Sequence, residues 1–468
     1  MAYILYGHIV GKCLIYREIF SFMSQRDSFA SKFGVLVAMA GSAIGLGNLW
    51  RFPYLVGTNG GAAFIIIYLG IVFFLALPIM YSEFLIGRRA QSNVFGAFKK
   101  LAPGSKWGVI GILSLICCVL VISFYSVVGG WTLDYLCKSL MFDFSGDTAS
   151  LGGMFEQTIT ANYRPLLFMF LFVALSGCIL LSGIKEGIEK YSKVLMPLLF
   201  VMVVIIAVSS VMLPGAKAGI DFLFKPDFSK VTSQTFLDAL GQAFLSLSVG
   251  FGIIFTYGSY VKREVNIVSM SQQTAIADTV FAIIAGVAIM PAVFSFGISP
   301  GQGPGLVFVT LPYIFSQIPM GGVLAILFFF VLFIAAITSA ISLLEVIVSY
   351  IVEELKVKRR AAILITVSTV FFLGIFCSLS QGILSDVKIF GNNIFDLFDK
   401  TSSNILMPLG ALLIVLYVGW GMKREDFTDE ITSGGLHKFS NGFFNYVYYS
   451  IKYLAPLVIS VIMIRSLL

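Results

Sequence analysis

Long apolar stretches alternate with short polar segments along almost the whole chain. Apolar runs of about 20 residues, the length that crosses a bilayer as a helix, recur about eleven times. They fall near 33–57, 62–87, 107–137, 165–183, 191–213, 236–261, 275–298, 320–352, 361–381, 400–421 and 441–466. The pattern predicts an all-α integral membrane protein with about eleven transmembrane helices.

Composition supports this class and excludes others. Of the 468 residues, 58% are hydrophobic and 12% are charged, and the mean hydropathy is +0.95. A soluble domain could not carry this composition without exposing apolar surface to water. Two histidines and six scattered cysteines leave little for a zinc site, a disulfide framework or histidine-based catalysis. No pair of nucleophile and base emerges, so we do not expect an enzyme.

The charges have a membrane explanation. Roughly twenty of the Lys and Arg residues fall in the N-terminal segment and in alternate loops, as the positive-inside rule describes. We therefore expect a multi-pass protein of the inner or plasma membrane, surrounded by lipid, with a cytoplasmic N-terminus and the C-terminus outside. The net charge of +7 needs no nucleic-acid partner. The oligomeric state stays open.

Two of the predicted spans carry a Gly-x-Gly at their middle. These are Gly45-Leu46-Gly47 in the first span and Gly250-Phe251-Gly252 in the sixth. Five-span halves of opposite topology are typical of an inverted repeat whose broken helices meet at the bilayer midplane. The predicted units are 24–214 and 215–421, one repeat each, and 422–468, a loop and the eleventh helix. Residues 1–23 form an extension that fits either an interfacial helix or, as we favour, a misassigned start, with Met23 beginning the protein.

A broken helix in hydrocarbon needs a polar occupant. Backbone groups freed by the break cost several kcal/mol each unless they are satisfied. Helix N-termini suit a carboxylate, and C-terminal carbonyls suit a cation. A zwitterion accompanied by sodium would use both. A dinucleotide-binding loop is a poor alternative, because no strand precedes the glycines and the third glycine is missing.

Several stretches carry a family resemblance. They are "RDSFASKFGVLVAMAGSAIGLGNLWRFPY", "NGGAAFIIIY", "PIMYSEFLIGR", "GQAFLSLSVGFGIIFTYGSY", "AAITSAISLLE" and "LPGAKAGIDFLFKPDF". From about residue 24 to 466 the chain resembles the neurotransmitter:sodium symporter family, in its bacterial eleven-span branch. The resemblance implies a 5+5 inverted repeat with discontinuous helices 1 and 6 plus one extra helix, and sodium-coupled transport.

The resemblance implies two Na+ sites built from oxygen ligands, as a hard cation requires. The first would use the Ala43 carbonyl, the substrate carboxylate, and the side chains of Asn48, Ser246 and Asp278. The second would use the carbonyls of Gly41, Ile44 and Ala335 and the hydroxyls of Thr338 and Ser339. The alternative for the Thr-Ser pair is back-bonding to its own helix.

Asp278 indicates whether transport requires chloride. An ionised carboxylate within an apolar span is expensive and indicates function. Animal members of the family have a neutral residue here and depend on chloride, so we expect chloride-independent transport. The alternative is that Asp278 lies at the membrane edge.

The resemblance also implies an amino-acid site. Tyr125 and the N–H groups of Leu46 and Gly47 would bind the substrate carboxylate. Gly45 stands where monoamine carriers have aspartate, which implies that the substrate brings its own carboxylate. Ala43 and Ser246 would border the substrate, and its side chain would contact Val121, Leu245, Ser248, Phe251 and Leu343. This lining favours a neutral, hydrophobic or aromatic side chain.

Charge pairs are expected to gate the two ends. Arg51 would face Asp399, with Asp396 as the rival, on the outer side. Arg26 would face Glu353 on the inner side, supported by Phe29 and Tyr260. In the family that the chain resembles, the spacing of Gly187 and Pro197 is associated with unwinding of the inner end of the fifth span.

Three functions remain in competition. We favour a sodium-coupled symporter that imports an amino acid by alternating access. A proton-coupled carrier of the same fold is the first alternative, and Thr338 and Ser339 argue against it because a cationic side chain would replace them. A membrane sensor or channel subunit without coupled transport is the second.

Overall fold

A computed structural model describes residues 28–144, 146–298 and 305–467. Within these residues, nine unbroken helices are long and apolar enough to cross a membrane. They are Ala62–Ala90, Lys106–Leu140, Arg164–Leu181, Ile184–Val211, Ile267–Ser295, Gly321–Glu354, Arg359–Leu379, Ile394–Gly421 and Asn441–Ile464. The predicted extension 1–23 and the gate residue Arg26 lie outside the described residues.

Two further spans are broken. The first consists of Lys32–Ala43 and Gly47–Thr58, which meet at 48°. The sixth consists of Ser233–Ser246 and Ile253–Gly258, each too short to cross a membrane alone. Among the described residues, the nine unbroken helices and the bent first pair make ten candidate spans, and the prediction of an all-helical membrane protein is confirmed, whereas the eleventh span stays a prediction that assigns the two short helices of the sixth break to one span.

The breaks follow from local backbone geometry. Ile44, directly after the first half-helix, is extended, with φ −76° and ψ 100°. In the sixth span, Gly250 and Gly252 have φ values of +93° and +86°. Glycine adopts this left-handed region without steric cost, whereas other residues do not. The left-handed glycines therefore interrupt the sixth span where the sequence indicated, whereas the first span breaks at Ile44 and resumes its helix at Gly47.

Three predicted boundaries are wrong, one of them in the tenth span, which begins at Ile394 rather than near 400. The seventh span begins at Ile267 rather than near 275, because the polar residues before 275, such as Ser271 and Thr274, are buried inside the protein. The fifth span begins at Ile184 rather than near 191, with a widened helical turn over Ile184–Glu189. Charged residues in that turn made it resemble a loop in the sequence.

Shorter helices connect the spans. They include Gly96–Leu101, Thr148–Thr160, Ala216–Phe224, Leu311–Gln317 and Arg424–Ile431. The third and eighth spans pack along each other in the interior, and the fifth and seventh both pack against the first half of the first span. This packing encloses the two breaks.

Candidate functional site

The first break turns polar groups toward the sixth and seventh spans. The Gly45 N–H donates to Asn48 Oδ1 at 3.1 Å, which satisfies one backbone group freed by the break. Asn48 begins the second half of the span and is fully buried. The same side chain therefore closes the break and directs its amide nitrogen toward the neighbouring spans.

Asn48, Ser246 and Asp278, here called the Asp278 cluster, join three spans. Asn48 Nδ2 donates to Asp278 Oδ1 at 2.8 Å and to Ser246 Oγ at 3.1 Å. The Ser246 hydroxyl lies 2.9 and 2.8 Å from the two carboxylate oxygens, and the Tyr68 hydroxyl donates to Asp278 Oδ2 at 3.3 Å. Asp278 is 0% exposed in the interior of its helix. The alternative position at the membrane edge is therefore wrong.

The donor chemistry of the Asp278 cluster fits an alkali cation. It offers a carboxylate, a hydroxyl and an amide, and hard cations prefer oxygen ligands. Within residues 28–144, 146–298 and 305–467, no group of three or more His, Cys, Asp and Glu side chains could hold a metal ion. Asn48 faces the carboxylate with its nitrogen, so its amide would have to turn over to bind a cation.

The second predicted ion site lies between the first break and the eighth span. Ser339 Oγ donates to the Ser42 carbonyl at 3.1 Å and so links the two spans. Thr338 Oγ1 lies 3.1 Å from the carbonyls of both Ile334 and Ala335. That is the back-bonding named as the alternative. The structure brings Ser339 against the first break, and the role of the five residues as ligands stays a prediction.

A small cavity of about 30 Å³ lies between the two breaks. It is lined by all the residues predicted to contact substrate: Ala43, Gly45, Leu46, Gly47, Val121, Tyr125, Leu245, Ser246, Ser248, Phe251 and Leu343. Ser42, Ile253 and Ser339 complete the wall. The wall thus combines hydroxyl and backbone groups with apolar side chains.

Space at Gly45 is restricted. A Cβ added there would lie 2.5 Å from Ser339 Oγ and 3.3 Å from Tyr125 Oη. The Leu46 N–H donates to the same Tyr125 hydroxyl at 3.4 Å. A side-chain carboxylate at position 45 would therefore collide with the eighth span.

A larger cavity of about 450 Å³ lies above the small one. Both cavities are lined by Leu46, Gly47, Tyr125 and Leu245, so these four residues separate the larger cavity from the smaller one. Arg51, Asp396 and Asp399 all line the larger cavity, here called the vestibule.

The predicted outer gate is not closed. Among the described residues, Arg51 makes no ion pair, and its buried Nη1 has no hydrogen-bond partner. Asp399 Oδ1 instead accepts from the Ser403 hydroxyl at 2.9 Å. Since both candidate carboxylates face the vestibule, the choice between Asp396 and Asp399 stays open.

The opposite side of the site is tightly packed. The buried Phe29 ring meets Tyr257 edge to face at 5.8 Å, and the Phe29 N–H donates to the Tyr260 carbonyl at 3.2 Å. The Tyr260 hydroxyl donates to Glu345 at 2.7 Å. Glu353 accepts from the backbone and side chain of Asn93, at 2.8 and 3.0 Å.

Sequence reasoning missed three buried polar residues near the breaks. Glu83 accepts a hydrogen bond from the Gly250 N–H in the sixth-span break. Gln242 donates to the Gly47 carbonyl at 3.1 Å, and Tyr68 donates to Asp278. The charge of Glu83 within an apolar span was a usable signal, whereas nothing in the sequence distinguished Tyr68 from other tyrosines.

The architecture and the site define a class of protein. Two broken helices meeting in the interior, beside a buried carboxylate and a cavity that continues into a vestibule, are features of secondary transporters. The profile of the sodium:neurotransmitter symporter family matches residues 26–158 and 155–468. The chain belongs to this family.

Individual relatives match this chain over nearly their whole length. The chain is 40% identical to the sodium-dependent transporter YhdH of Bacillus subtilis over 438 residues, 93% of this chain and 97% of that one. It is 39% identical to a sodium-dependent transporter of Haemophilus influenzae over 455 residues, 95% and 98% of the two chains. The crystal structure of MhsT in complex with L-phenylalanine matches with a TM-score of 0.89 and 42% identity, covering 94% of this chain and 99% of MhsT. The chain is thus a multi-pass, sodium-dependent transporter and not an enzyme.

Proposed function

We propose that this protein is a symporter that imports a neutral amino acid with a large apolar or aromatic side chain, driven by sodium. The observation that carries the proposal is the lining of the small cavity, which brings the first-span break and Tyr125 together with Val121, Phe251 and Leu343. At about 30 Å³ the cavity is smaller than an amino acid, so its walls must move apart to admit one. The hydroxyl and backbone groups suit a carboxylate. The apolar part of the lining would leave a charged side chain without a partner.

The space around Gly45 supports an amino acid over an amine. Because a side chain at this position would collide with Ser339, the negative charge must come from the substrate. Binding of L-phenylalanine by MhsT, which is 42% identical, supports the same class of substrate for this chain.

Two sodium ions would accompany the substrate. The first would bind at the Asp278 cluster and contact the substrate carboxylate, so each would strengthen the binding of the other. The second would bind between the first break and Thr338 and Ser339. The fixed charge of Asp278 would do what chloride does in animal relatives, so transport would not require chloride.

The vestibule provides the entry route. It opens toward Arg51 while Phe29 and Tyr260 pack the other side, which is the arrangement alternating access requires of its outward-facing state. With the N-terminus in the cytoplasm, the Arg51 side faces outward.

Uptake into liposomes tests the proposal. Purified protein would be given radiolabelled phenylalanine, leucine, lysine or aspartate under an inward sodium gradient, or with potassium in place of sodium. We expect uptake of the two neutral amino acids with sodium, unchanged when gluconate replaces chloride. Equal uptake with potassium would contradict sodium coupling, preferred uptake of lysine or aspartate would contradict the substrate class, and loss of uptake in gluconate would contradict chloride independence.

A further inference from the structure

A buried carboxylate connects the fifth span to the beginning of the first. Glu189 is 1% exposed and ends the widened turn Ile184–Glu189. Its Oε2 accepts the Ala30 N–H at 2.6 Å, and its Oε1 accepts the Ser31 hydroxyl at 2.8 Å. Lys193, one turn along the same helix, donates to Oε1 at 2.6 Å. One side chain therefore binds two consecutive residues at the end of another span.

The first span needs this negative charge. The helix Lys32–Ala43 has no acidic residue in its first turn and begins with a lysine. Helix N-termini carry partial positive charge and are stabilised by a nearby anion. Ser31 caps the helix by accepting the Gly34 N–H at 3.0 Å while it donates to Glu189. The fifth span thus supplies the anion that the first span lacks.

Two glycines allow the fifth span to lie close along the first. A Cβ at Gly34 would lie 2.1 Å from Glu189 Oε1, and a Cβ at Gly41 would lie 3.4 Å from Met196 Sδ. The two contacts are seven residues apart on each helix, about two helical turns. The two helices therefore run side by side in the same direction. The carbonyl of Gly41 is a proposed ligand of the second sodium. Glu189 and that ion would therefore lie at opposite ends of one contact, here called the Gly34–Gly41 seam.

We propose that Glu189 is a positioning residue for transport. Its carboxylate holds the Phe29 end of the first span against the fifth while sodium is bound, and its separation from Ala30 and Ser31 opens the Gly34–Gly41 seam toward the second sodium. This inference rests on the proposed two-ion symport. It assigns to a single carboxylate the contact that must break before the ion can leave on the inner side.

A thiol reporter tests the inference without a substrate. Ser192, one turn beyond Glu189, is 5% exposed, and Ser192→Cys in a background without native cysteines reports opening of the inner end. Labelling by a water-soluble methanethiosulfonate would be timed in sodium chloride and in potassium chloride. Sodium is expected to slow labelling of the reporter protein, because the bound ion favours the closed seam.

Three variants distinguish loss of the Glu189 carboxylate from a general effect of substitution on the labelling rate. Glu189→Gln removes the charge while nearly keeping the shape, and we expect about tenfold faster labelling in sodium, since hydrogen bonds to charged groups are the stronger ones. Glu186→Gln is the control, because Glu186 lies on the same turn, is exposed and pairs with Lys190. Ser31→Asp keeps an acceptor for the Gly34 N–H and loses the donor to Glu189, so faster labelling than in the Glu186→Gln control is expected.

The outcomes distinguish the two proposals. If sodium does not slow labelling of the reporter protein, the second sodium site is overturned and the role of Glu189 with it. If sodium does slow it and Glu189→Gln labels like Glu186→Gln, only the role of Glu189 is overturned. Should Glu189→Gln fail to fold, Ser31→Asp decides, because it keeps the helix cap: faster labelling supports the role, and an unchanged rate overturns it. Restoration of slow labelling by Glu189→Asp would further separate charge from packing.

Discussion

Replacing Asp278 by asparagine is the sharpest test of the proposed ion site. The substitution keeps an oxygen that can accept from Asn48 and Ser246, which lie 2.8 to 2.9 Å from the carboxylate oxygens. It removes the negative charge. Because the side chain is fully buried, water cannot replace that charge, and the loss falls on the bound cation.

The magnitude follows from the distances in the Asp278 cluster. Its side chains approach within 2.8 to 3.1 Å of one another, so an ion bound by all three would lie within about 4 Å of the carboxylate charge. At an effective dielectric constant near 20, that attraction is about 4 kcal/mol. Part of it is offset because burying a carboxylate is costly. We expect a net loss of about 3 kcal/mol, or a factor of about 100 in sodium affinity.

Sodium titration of amino-acid uptake measures this loss. The sodium concentration for half-maximal uptake would be compared between the wild type and Asp278→Asn, in chloride and in gluconate. Asp238→Asn is the matched control, because Asp238 lines the vestibule and accepts from Asn59 and Gln234 rather than from the Asp278 cluster. We expect chloride to restore part of the affinity of Asp278→Asn. Half-saturation within twofold of the control would refute the assignment of Asp278 as a ligand.

Three further substitutions test the geometry around the breaks. Gly45→Ala should weaken amino-acid binding at least about tenfold, because its Cβ would collide with the eighth span. Gly70→Ala is the control and should leave binding unchanged, since nothing lies within 4 Å of the added Cβ. Equal binding by both variants would contradict the steric argument. Glu83→Leu should lower the free energy of unfolding by about 1 to 3 kcal/mol, because it leaves the buried Gly250 N–H unpaired. Glu83→Gln should retain most of that free energy. Equal melting temperatures for the two variants would show that the hydrogen bond is unimportant. Gly410→Ala should lower the melting temperature of the detergent-solubilised protein, since its Cβ would lie 2.1 Å from the Gly250 carbonyl; an unchanged melting temperature would show that the sixth-span break can shift away.

Hydropathy predicted most span limits within a few residues and failed where a span begins with polar or charged residues. The apolar runs for the third, eighth and eleventh spans lie within a few residues of the observed helices. The seventh span extends eight residues earlier than predicted, because Ser271 and Thr274 are buried and their hydroxyls face protein rather than lipid. Average hydropathy cannot separate a polar residue in a loop from one inside the bundle.

The substrate cavity was predicted through the family resemblance rather than through periodicity. Its glycines could be found by inspection, because a Gly-x-Gly in an apolar run stands out. Residues such as Tyr125 and Leu343 come from distant spans and carry no local mark. The structure adds Ile253 and Ser42 to the same cavity, and neither was distinguishable from other small or apolar residues in the sequence.

By itself the sequence determined the membrane class, most of the spans, the two breaks and the presence of a carboxylate inside a span at Asp278. Each of these depends on local properties: apolar length, glycine conformation and the cost of a carboxylate in hydrocarbon. Only the tertiary structure decided which groups meet. Asp278 bonds to Asn48 across 230 residues, and Glu189 bonds to Ser31 across 158. Such pairs depend on how whole helices pack, because a side chain's position on its own helix does not reveal which neighbouring helix it will face.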